Sequence, residues 1–325
     1  MPLSGVPSAI SVAVNTSDTS TLPKVALIAG PTASGKSALA LNIAERHNGT
    51  IINADSAQVY RDLRIVTARP SAEEETRVPH RLFGHVDAAD TTHNAARWAA
   101  DARTAIAETL AEGRLPILVG GTGLYLRTLF DGIAPVPAID TAIRAEVRAL
   151  PVAEAYAALI TVDPEAAARL RHTDTTRVAR ALEVVRSTGR TLADWQQHRE
   201  GGIIDTIDLR AVVLLPDRAW LNDRIDRRFA TMVDEGSSDV AALLARPDVP
   251  ASAPILRAIG VPQIAALVRG EITRDQAVAQ GTTATRQYAK RQYTWFRHQP
   301  PSAWLRMVGN DRQSLRSQFA TLLLS

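Results

Sequence analysis

Short apolar runs separated by amphipathic segments organise the first part of the chain. Four such runs are typical of buried strands: residues 24–30, 49–56, 80–87 and 115–121. Between them, residues 36–47 and 91–113 carry apolar positions at helical spacing, and the second segment ends at a glycine suited to cap a helix. Strands that alternate with helices in this way predict an α/β fold with a parallel sheet and right-handed crossovers.

The pattern changes after the proline-containing segment Ala134–Asp140. Helical spacing then continues to about His198, strand character returns at Leu209–Asp217, and a long basic helix is predicted from about Thr273 to Arg297. The predicted organisation has three parts: a flexible tail over 1–22, an α/β core formed by 23–136 together with 203–325, and a helical subdomain over 137–202 inserted into that core.

Composition narrows the class of protein. The chain has 325 residues, of which 46% are apolar, so a large core can be buried. No run of about 18 apolar residues is present, which argues against a membrane span. The first 22 residues hold no Lys or Arg, which disfavours a secretory signal or a transit peptide. The absence of cysteine excludes disulfides and thiolate metal sites and fits a cytoplasmic location.

Basic residues are clustered although the net charge is only +3. Residues 276–310 contain no acidic side chain but several Arg and Lys, and residues 169–190 are also rich in arginine. Clusters of this kind favour contact with a polyanion over an evenly solvated surface.

Residues 30–37 predict a phosphate-binding loop. Gly30, Gly35, Lys36 and Ser37 fit the pattern G-x-x-x-x-G-K-[ST] between a strand and a helix. In that context backbone N–H groups and the helix N-terminus attract phosphate, the Lys36 ammonium neutralises its oxygens, and the Ser37 hydroxyl ligates Mg²⁺.

Two other strand ends carry candidate chemistry. A nucleotide hydrolase normally has an apolar strand that ends in Asp, but the run at 115–121 leads into Gly120, Gly121 and Thr122, which lowers the likelihood of an ATPase. These glycines let a backbone or a ligand approach closely, or they form a tight turn without a ligand. Asp55 follows residues 49–54; it is a candidate proton acceptor or metal ligand, or the N-cap of the next helix.

Seven motifs together carry a family resemblance. They are GPTASGKS, NADSAQVY, TARP, PHRLF, VGGTGLYLRTL, DTTRVARALEV and TRQYAKRQYTWFR, in this order. The combination resembles the bacterial tRNA dimethylallyltransferases, also called tRNA isopentenyltransferases, over residues 24–297. The resemblance implies a P-loop NTPase-like core that holds dimethylallyl diphosphate rather than ATP. It also implies transfer of the dimethylallyl group to N6 of the adenosine 3′-adjacent to the anticodon.

The resemblance also implies partners and site residues. The partners are Mg²⁺, dimethylallyl diphosphate as co-substrate and a tRNA anticodon stem-loop, with a monomeric protein and no membrane. Catalytic roles fall on Asp55, Thr122 and Arg144, of which Asp55 would take the N6 proton. Donor binding is implied for Gly30, Pro31, Thr32, Ala33, Ser34, Gly35, Lys36, Ser37 and Arg224. Contact with tRNA is implied for Asp55, Ser56, Ala57, Gln58, Thr176, Arg177, Val178, Ala179, Arg180, Arg286, Lys290, Arg291 and Arg297.

Several alternatives stay open at this stage. A P-loop kinase for a small metabolite, an adenylate isopentenyltransferase and a non-catalytic RNA-binding protein each share part of the pattern. Arg224 could instead form a surface ion pair with Asp223 or Asp226. In the basic helix we expect Trp295 and Phe296 to be core residues and the cations to face RNA.

The sequence also departs from the family pattern at three positions. Val66 stands where the family usually has Gly, and Val261 and Pro262 stand where it usually has Tyr and a basic residue. These departures put the expected tRNA contacts near residues 257–263 in doubt.

Overall fold

The computed structural model describes residues 22–309 and 312–324. Its centre is a six-stranded, fully parallel sheet in the order β3-β2-β4-β1-β5-β6. The strands are β1 (Lys24–Ala29), β2 (Gly49–Asn53), β3 (His80–Arg81), β4 (Leu115–Gly120), β5 (Asp208–Leu215) and β6 (Leu305–Val308). The predicted parallel α/β core is therefore confirmed, whereas the predicted tail over 1–22 lies outside the described residues except for Leu22.

Thirteen α-helices connect or flank these strands in the described part of the chain. They are α1 (Lys36–Arg46), α2 (Ala72–Arg77), α3 (Ala95–Ala111), α4 (Gly123–Asp131), α5 (Thr141–Ala149), α6 (Val152–Val162), α7 (Pro164–Arg169), α8 (Thr175–Thr188), α9 (Leu192–Gln196), α10 (Arg218–Leu244), α11 (Val261–Val268), α12 (Arg274–His298) and α13 (Arg312–Leu324). None of them is both long and apolar enough to cross a bilayer.

Helices cover both faces of the sheet, which explains why its central strands are apolar throughout. In β1, Leu27 and Ala29 belong to a core shared with α3, α4, α10 and α12. Ala26 and Ile28 point to the other face and pack with residues of α1 and α13. All carboxyl ends of the parallel strands meet at one edge, where ligands bind in this class of sheet.

Helices α5 to α9 occupy the predicted insertion. Their largest apolar cluster is their own, with Val147 of α5, Leu159 of α6 and Leu182 of α8 at its centre. Helices α3, α4 and α10 to α12 contribute to the main core instead. The exact boundaries at 137 and 202 stay a prediction.

The prediction and the structure differ at the two edge strands of the sheet. The run at 80–87 forms only the two residues of β3, because Leu82 (φ 63°) and Gly84 (φ 57°) turn the backbone out of strand geometry; a single bridge then joins Tyr60 to Val86. Strand β6 was not predicted. It has four residues and is largely exposed, so it lacks the apolar run that marked the buried strands.

Candidate active site

The loop between β1 and α1 is built for close backbone approach. Gly30 has φ 147°, and a Cβ there would lie 2.6 Å from the Leu214 carbonyl oxygen of β5. Gly35 has φ 95° and precedes the first residue of α1. Positive φ at these positions favours glycine, and the loop wraps around the N-terminus of α1, which is the arrangement that binds phosphate.

Lys36 lies inside this loop in a partly buried position. Its Nζ donates a hydrogen bond of 2.7 Å to the Pro31 carbonyl of the same loop. Burial lowers the pKa of Lys36 to about 8, the Asp55 carboxylate opposes this shift, and the Arg228 guanidinium adds to it. The ammonium is therefore poorly compensated within the loop, which is the condition under which an anion is bound strongly.

Two hydroxyls of the loop face different surroundings. Ser34 is buried, and its Oγ has no hydrogen-bond partner among the described residues. Ser37 is exposed in the first turn of α1, directly after Lys36. A buried hydroxyl without a partner and an exposed one beside the ammonium both fit a bound oxyanion.

Helix α10 brings two arginines to the phosphate loop. Arg228 Nη2 donates to the Thr32 hydroxyl at 2.5 Å, and burial lowers its pKa to about 10. Arg224 Nε donates to the Ala33 carbonyl at 3.0 Å, and its guanidinium lies over the Trp220 ring. The arrangement supports the position expected for Arg224 at the diphosphate; Arg228 was missed, although it follows Arg224 by one helical turn.

The carboxylates that we considered as partners of Arg224 are engaged elsewhere. Asp223 pairs with Arg227, and Asp226 pairs with Arg286 of α12.

Asp55 lies just beyond β2 at the carboxyl edge of the sheet. Its Oδ1 accepts a hydrogen bond from Ala57 N at 2.9 Å, and its own N–H donates to Asn53 Oδ1 at 2.8 Å. The N-cap hypothesis for Asp55 is wrong, because the next helix begins at Ala72 and is capped by Ser71. The carboxylate is half-buried and lines the main cavity.

Thr122 ties the loop after β4 to the loop after β2. Its Oγ1 accepts a hydrogen bond from Ser56 N at 3.0 Å. It also shares a hydrogen bond with the hydroxyl of Tyr288 on α12, whose pKa burial raises. Thr122 and Asp55 are thus held in adjoining loops.

Gln292 of α12 fastens the two loops to each other. Its Oε1 accepts from Thr32 N at 2.8 Å, and its Nε2 donates to the Gly121 carbonyl at 2.9 Å. Sequence reasoning missed this residue. The available signal was helical spacing, since Gln292 shares the buried face of α12 with Ala289 and Phe296.

The glycines of the VGGTG segment serve contacts within the protein. A Cβ on Gly120 would lie 2.1 Å from the Ala54 carbonyl oxygen, and one on Gly121 would lie 2.4 Å from Gln292 Nε2. On Gly123 a Cβ would lie 2.5 Å from the Trp295 indole. The close approach predicted here is therefore observed, and the approaching groups are backbone and α12 side chains.

A cavity of about 350 Å³ opens beside the phosphate loop. Thr32, Asp55 and Arg228 form its polar side. Apolar side chains form much of the remaining wall, among them Ile225, Phe229, Met232, Ile255 and Ile259. A cavity with an anion-binding side and an apolar side suits a substrate that carries both a phosphate group and a hydrocarbon group.

The exposed face of α12 carries the predicted RNA-contacting cations. Arg286, Lys290, Arg291 and Arg297 are exposed, and Arg286 pairs with Asp226 of α10. The Arg291 guanidinium lies 5.8 Å from the centre of the Tyr288 ring. As predicted, Phe296 is buried in the core and Trp295 is partly buried against it.

Gln58 lies in the loop after β2, where its side chain donates to the Thr67 and Ala68 carbonyls, whereas the other predicted residues lie in the helical insertion. Arg144 lies on α5, and neither it nor any other described residue of α5 lines the cavity. Together with Arg148 and Arg180 it surrounds the buried Glu183 carboxylate, at N–O distances of 2.8 to 4.0 Å. Thr176–Arg180 forms part of the first turns of α8. The structure thus groups Lys36, Asp55 and Thr122 but does not place Arg144 with them.

Comparison with known protein families gives two matches. The family model described as IPP transferase matches residues 58–299, and one described as isopentenyl transferase matches residues 23–90. The chain is 64% identical to a tRNA dimethylallyltransferase from Sphingopyxis alaskensis, which covers 87% of this chain and 93% of that protein. It is 58% identical to the protein of the same name from Erythrobacter litoralis, over 89% of this chain and 92% of the relative.

Solved structures agree with these relatives. The tRNA isopentenylpyrophosphate transferase from Bacillus halodurans matches with a TM-score of 0.64 and 31% identity, covering 93% of this chain and 97% of that one. A eukaryotic dimethylallyltransferase described as acting on tRNA matches with a TM-score of 0.72 and 28% identity, covering 84% of this chain and 69% of that one.

Proposed function

The chain belongs to the IPP transferase family, and from this membership we propose how it transfers a dimethylallyl group to tRNA. It is a tRNA dimethylallyltransferase by function: the prenyl donor is dimethylallyl diphosphate and the acceptor is tRNA. The acceptor atom that we propose is N6 of the adenosine 3′-adjacent to the anticodon.

The observation that carries the donor assignment is the two-sided cavity. Its polar side is formed by Thr32, Asp55 and Arg228. The adjoining phosphate loop adds Lys36 and the buried Ser34 hydroxyl, and Arg224 of α10 contacts that loop. Aliphatic and aromatic side chains form much of the remaining wall, where they would bury a five-carbon prenyl chain and exclude water from an allylic cation-like transition state.

Asp55 is proposed to activate the acceptor. The lone pair of the adenine N6 is delocalised into the ring, so the amine is a weak nucleophile. In the reaction N6 forms a bond to the first prenyl carbon, the carbon–oxygen bond to diphosphate breaks, and the N6 proton passes to the Asp55 carboxylate. The hydrogen bond from Ala57 N–H engages Asp55 Oδ1, and Oδ2 is the oxygen that we propose as the proton acceptor.

The leaving diphosphate gains charge as the carbon–oxygen bond breaks. Lys36, Arg224 and Arg228 are placed to stabilise this charge from two elements, α1 and α10. Thr122, held by Ser56 and Tyr288, is proposed to position the acceptor at the opposite loop. The role of Arg144 is then electrostatic, within the helical insertion.

We propose that Mg²⁺ binds together with the diphosphate. The exposed Ser37 hydroxyl is an oxygen ligand of the type that Mg²⁺ prefers, and it adjoins the loop that would hold the phosphates. When bound, the ion would neutralise part of the diphosphate charge.

We propose that tRNA lies across α12 and the helical insertion. Lys290, Arg291 and Arg297 would contact backbone phosphates, and α8 would contribute the residues between Thr176 and Arg180. The target base must leave the stack to reach Asp55, as chemistry on a stacked base requires. We also propose that the enzyme is a monomer and is located in the cytoplasm.

Labelled dimethylallyl diphosphate tests the assignment directly. Incubation with Mg²⁺ and bulk tRNA should label the tRNA, and digestion to nucleosides should place the label on N6 of adenosine. Two parallel incubations test the alternatives. AMP replaces tRNA as the acceptor to test for an adenylate isopentenyltransferase, and labelled ATP with small metabolites tests for a kinase. Label in AMP at the rate seen with tRNA, or phosphoryl transfer from ATP, would contradict the proposal.

A further inference from the structure

A second cluster of chemically active side chains lies at the edge of the cavity, away from the phosphate loop. It consists of His85 in the loop after β3, His93 just before α3, and Asp101 on α3. One ligand atom from each residue lies within 4.8 Å of the others. We propose that these three residues bind a transition-metal ion of the Zn²⁺ type.

His93 is the strongest indication. Its side chain lines the cavity and only 8% of the residue is exposed, yet neither ring nitrogen has a hydrogen-bond partner in the described part of the chain. Buried imidazoles normally have at least one partner. A metal ion bound between His85, His93 and Asp101 would be the missing partner of one ring nitrogen of His93.

The spacing between His85 and Asp101 points the same way. His85 Nε2 lies 3.7 Å from Asp101 Oδ2, which is beyond a hydrogen bond. Two ligands held tetrahedrally at about 2.0 to 2.1 Å from one Zn²⁺ ion lie roughly 3.4 Å apart.

The electrostatic surroundings permit such an ion. Burial lowers the pKa of both histidines, which keeps them in the neutral form that binds metal, and Asp101 supplies one negative charge. Arg97 is an opposing cation near both histidines, and it is engaged by Asp90 at 3.0 Å. Two imidazoles with one carboxylate suit Zn²⁺, Co²⁺ or Ni²⁺ rather than Mg²⁺, whose preferred ligands are oxygens.

A metal titration of the tag-free full chain tests the proposal. Zn²⁺ is titrated calorimetrically in a background of excess Mg²⁺, and Co²⁺ is followed by its visible absorption. We expect one equivalent of Zn²⁺ to bind, and His93→Gln, His85→Gln and Asp101→Asn to weaken binding by at least ~10-fold each. His198→Gln, an exposed histidine outside the cluster, is the matched control.

The outcomes separate clearly. The side chains of His85 and Asp101 are 30% and 44% exposed, so their variants test the site even if His93→Gln fails to fold. Binding that is absent in the wild type, or that is unchanged in both of these variants, would overturn the proposal. Because the measurement needs neither tRNA nor prenyl donor, it is independent of the transferase assignment.

Discussion

The phosphate-loop crevice and the helical insertion both gather arginines but hold them differently. In the crevice Arg228 is largely buried, its pKa is lowered to about 10, and its hydrogen bond goes to a neutral hydroxyl. In the insertion Arg144, Arg148 and Arg180 surround one buried glutamate with 41 to 64% of each arginine side chain exposed.

This difference indicates that the arginines of the crevice and those of the insertion have different functions. A buried and poorly neutralised cation is strongly attracted to an incoming anion, because little solvent or counter-charge screens it. Exposed and ion-paired cations contribute through a field that salt screens. Changes in the crevice should therefore alter catalysis and donor binding, whereas changes in the insertion and on the exposed face of α12 should alter tRNA affinity.

The largest effect is expected at Asp55. Asp55→Ala should slow transfer by at least ~100-fold, because the N6 proton loses its acceptor, while tRNA binding survives. Single-turnover rates at saturating substrate, with tRNA affinity measured by filter binding, check both halves.

Asp55→Asn is the matched control for this change. The amide oxygen preserves the acceptor for Ala57 N–H, so the loop keeps its shape, but the side chain cannot take the proton. Wild-type turnover in the asparagine variant would remove the proton-accepting role and leave a positioning one.

The next effect follows from the pKa of Lys36, which is about 8 in the donor-free protein against 10.5 in a model lysine. Above pH 8 the amine becomes neutral, so diphosphate affinity should fall by up to about tenfold per pH unit. Lys36→Arg stays charged and should lose this part of the pH dependence. Calorimetric binding of inorganic diphosphate between about pH 7 and about 9.5 measures the difference; parallel slopes in the two proteins would contradict it.

The same group affects stability with the opposite sign. Between pH 8 and 10.5 the unfolded chain holds the Lys36 proton more tightly than the folded chain, so unfolding takes up protons. The destabilisation due to burying Lys36 is thus fully present below pH 8 and is relieved as the pH rises through this window. Donor affinity and stability should therefore change in opposite directions with pH.

Local sequence was sufficient for some parts of this site. The phosphate loop was predictable because its glycines, Lys36 and Ser37 lie within eight consecutive residues between a strand and a helix. The location of Asp55 and Thr122 at the site was predictable because each follows a strand, and parallel strands all end at one edge of the sheet. Their relation to each other follows from the strand order, in which β2, β4 and β1 are neighbours.

Other parts depend on tertiary packing. Gln292 is 260 residues from Thr32, and only the docking of α12 brings them together. Arg224 was expected from the family resemblance rather than from its surroundings, and Arg228 was missed because an arginine on a long helix has no local mark of burial. Strand β3 was predicted too long because the turn at Leu82 and Gly84 has no apolar pattern of its own, and β6 was missed because it is short and largely exposed.

Gln292 gives the third prediction, at the junction of the two loops. Gln292→Leu would leave Thr32 N–H and the Gly121 carbonyl without partners, at a cost of about 1–3 kcal/mol in the free energy of unfolding. It should also raise the KM for dimethylallyl diphosphate, because Thr32 is part of the phosphate loop. Denaturant unfolding and steady-state kinetics measure the two effects. Gln287→Leu, on the exposed side of α12, is the control and should change neither.

The smallest effects are expected from substitutions on the exposed face of α12. These substitutions test most directly the contrast between the buried crevice and the exposed surface. Lys290→Ala and Arg291→Ala should each weaken tRNA binding a few-fold and reduce the slope of log affinity against log salt by roughly one. Arg269→Ala, an exposed arginine paired with Glu271, is the control.

Lys290 and Arg291 need not behave alike. Arg291 also contacts the Tyr288 ring, and Tyr288 bonds to Thr122 at the cavity, whereas Lys290 has no such link among the described contacts. If α12 only attracts tRNA, both variants keep the wild-type single-turnover rate at saturating tRNA. If tRNA contact also sets the position of Thr122, Arg291→Ala alone slows that rate. A uniform loss of rate in both variants, without a change in the salt slope, would contradict the division between crevice and exposed surface.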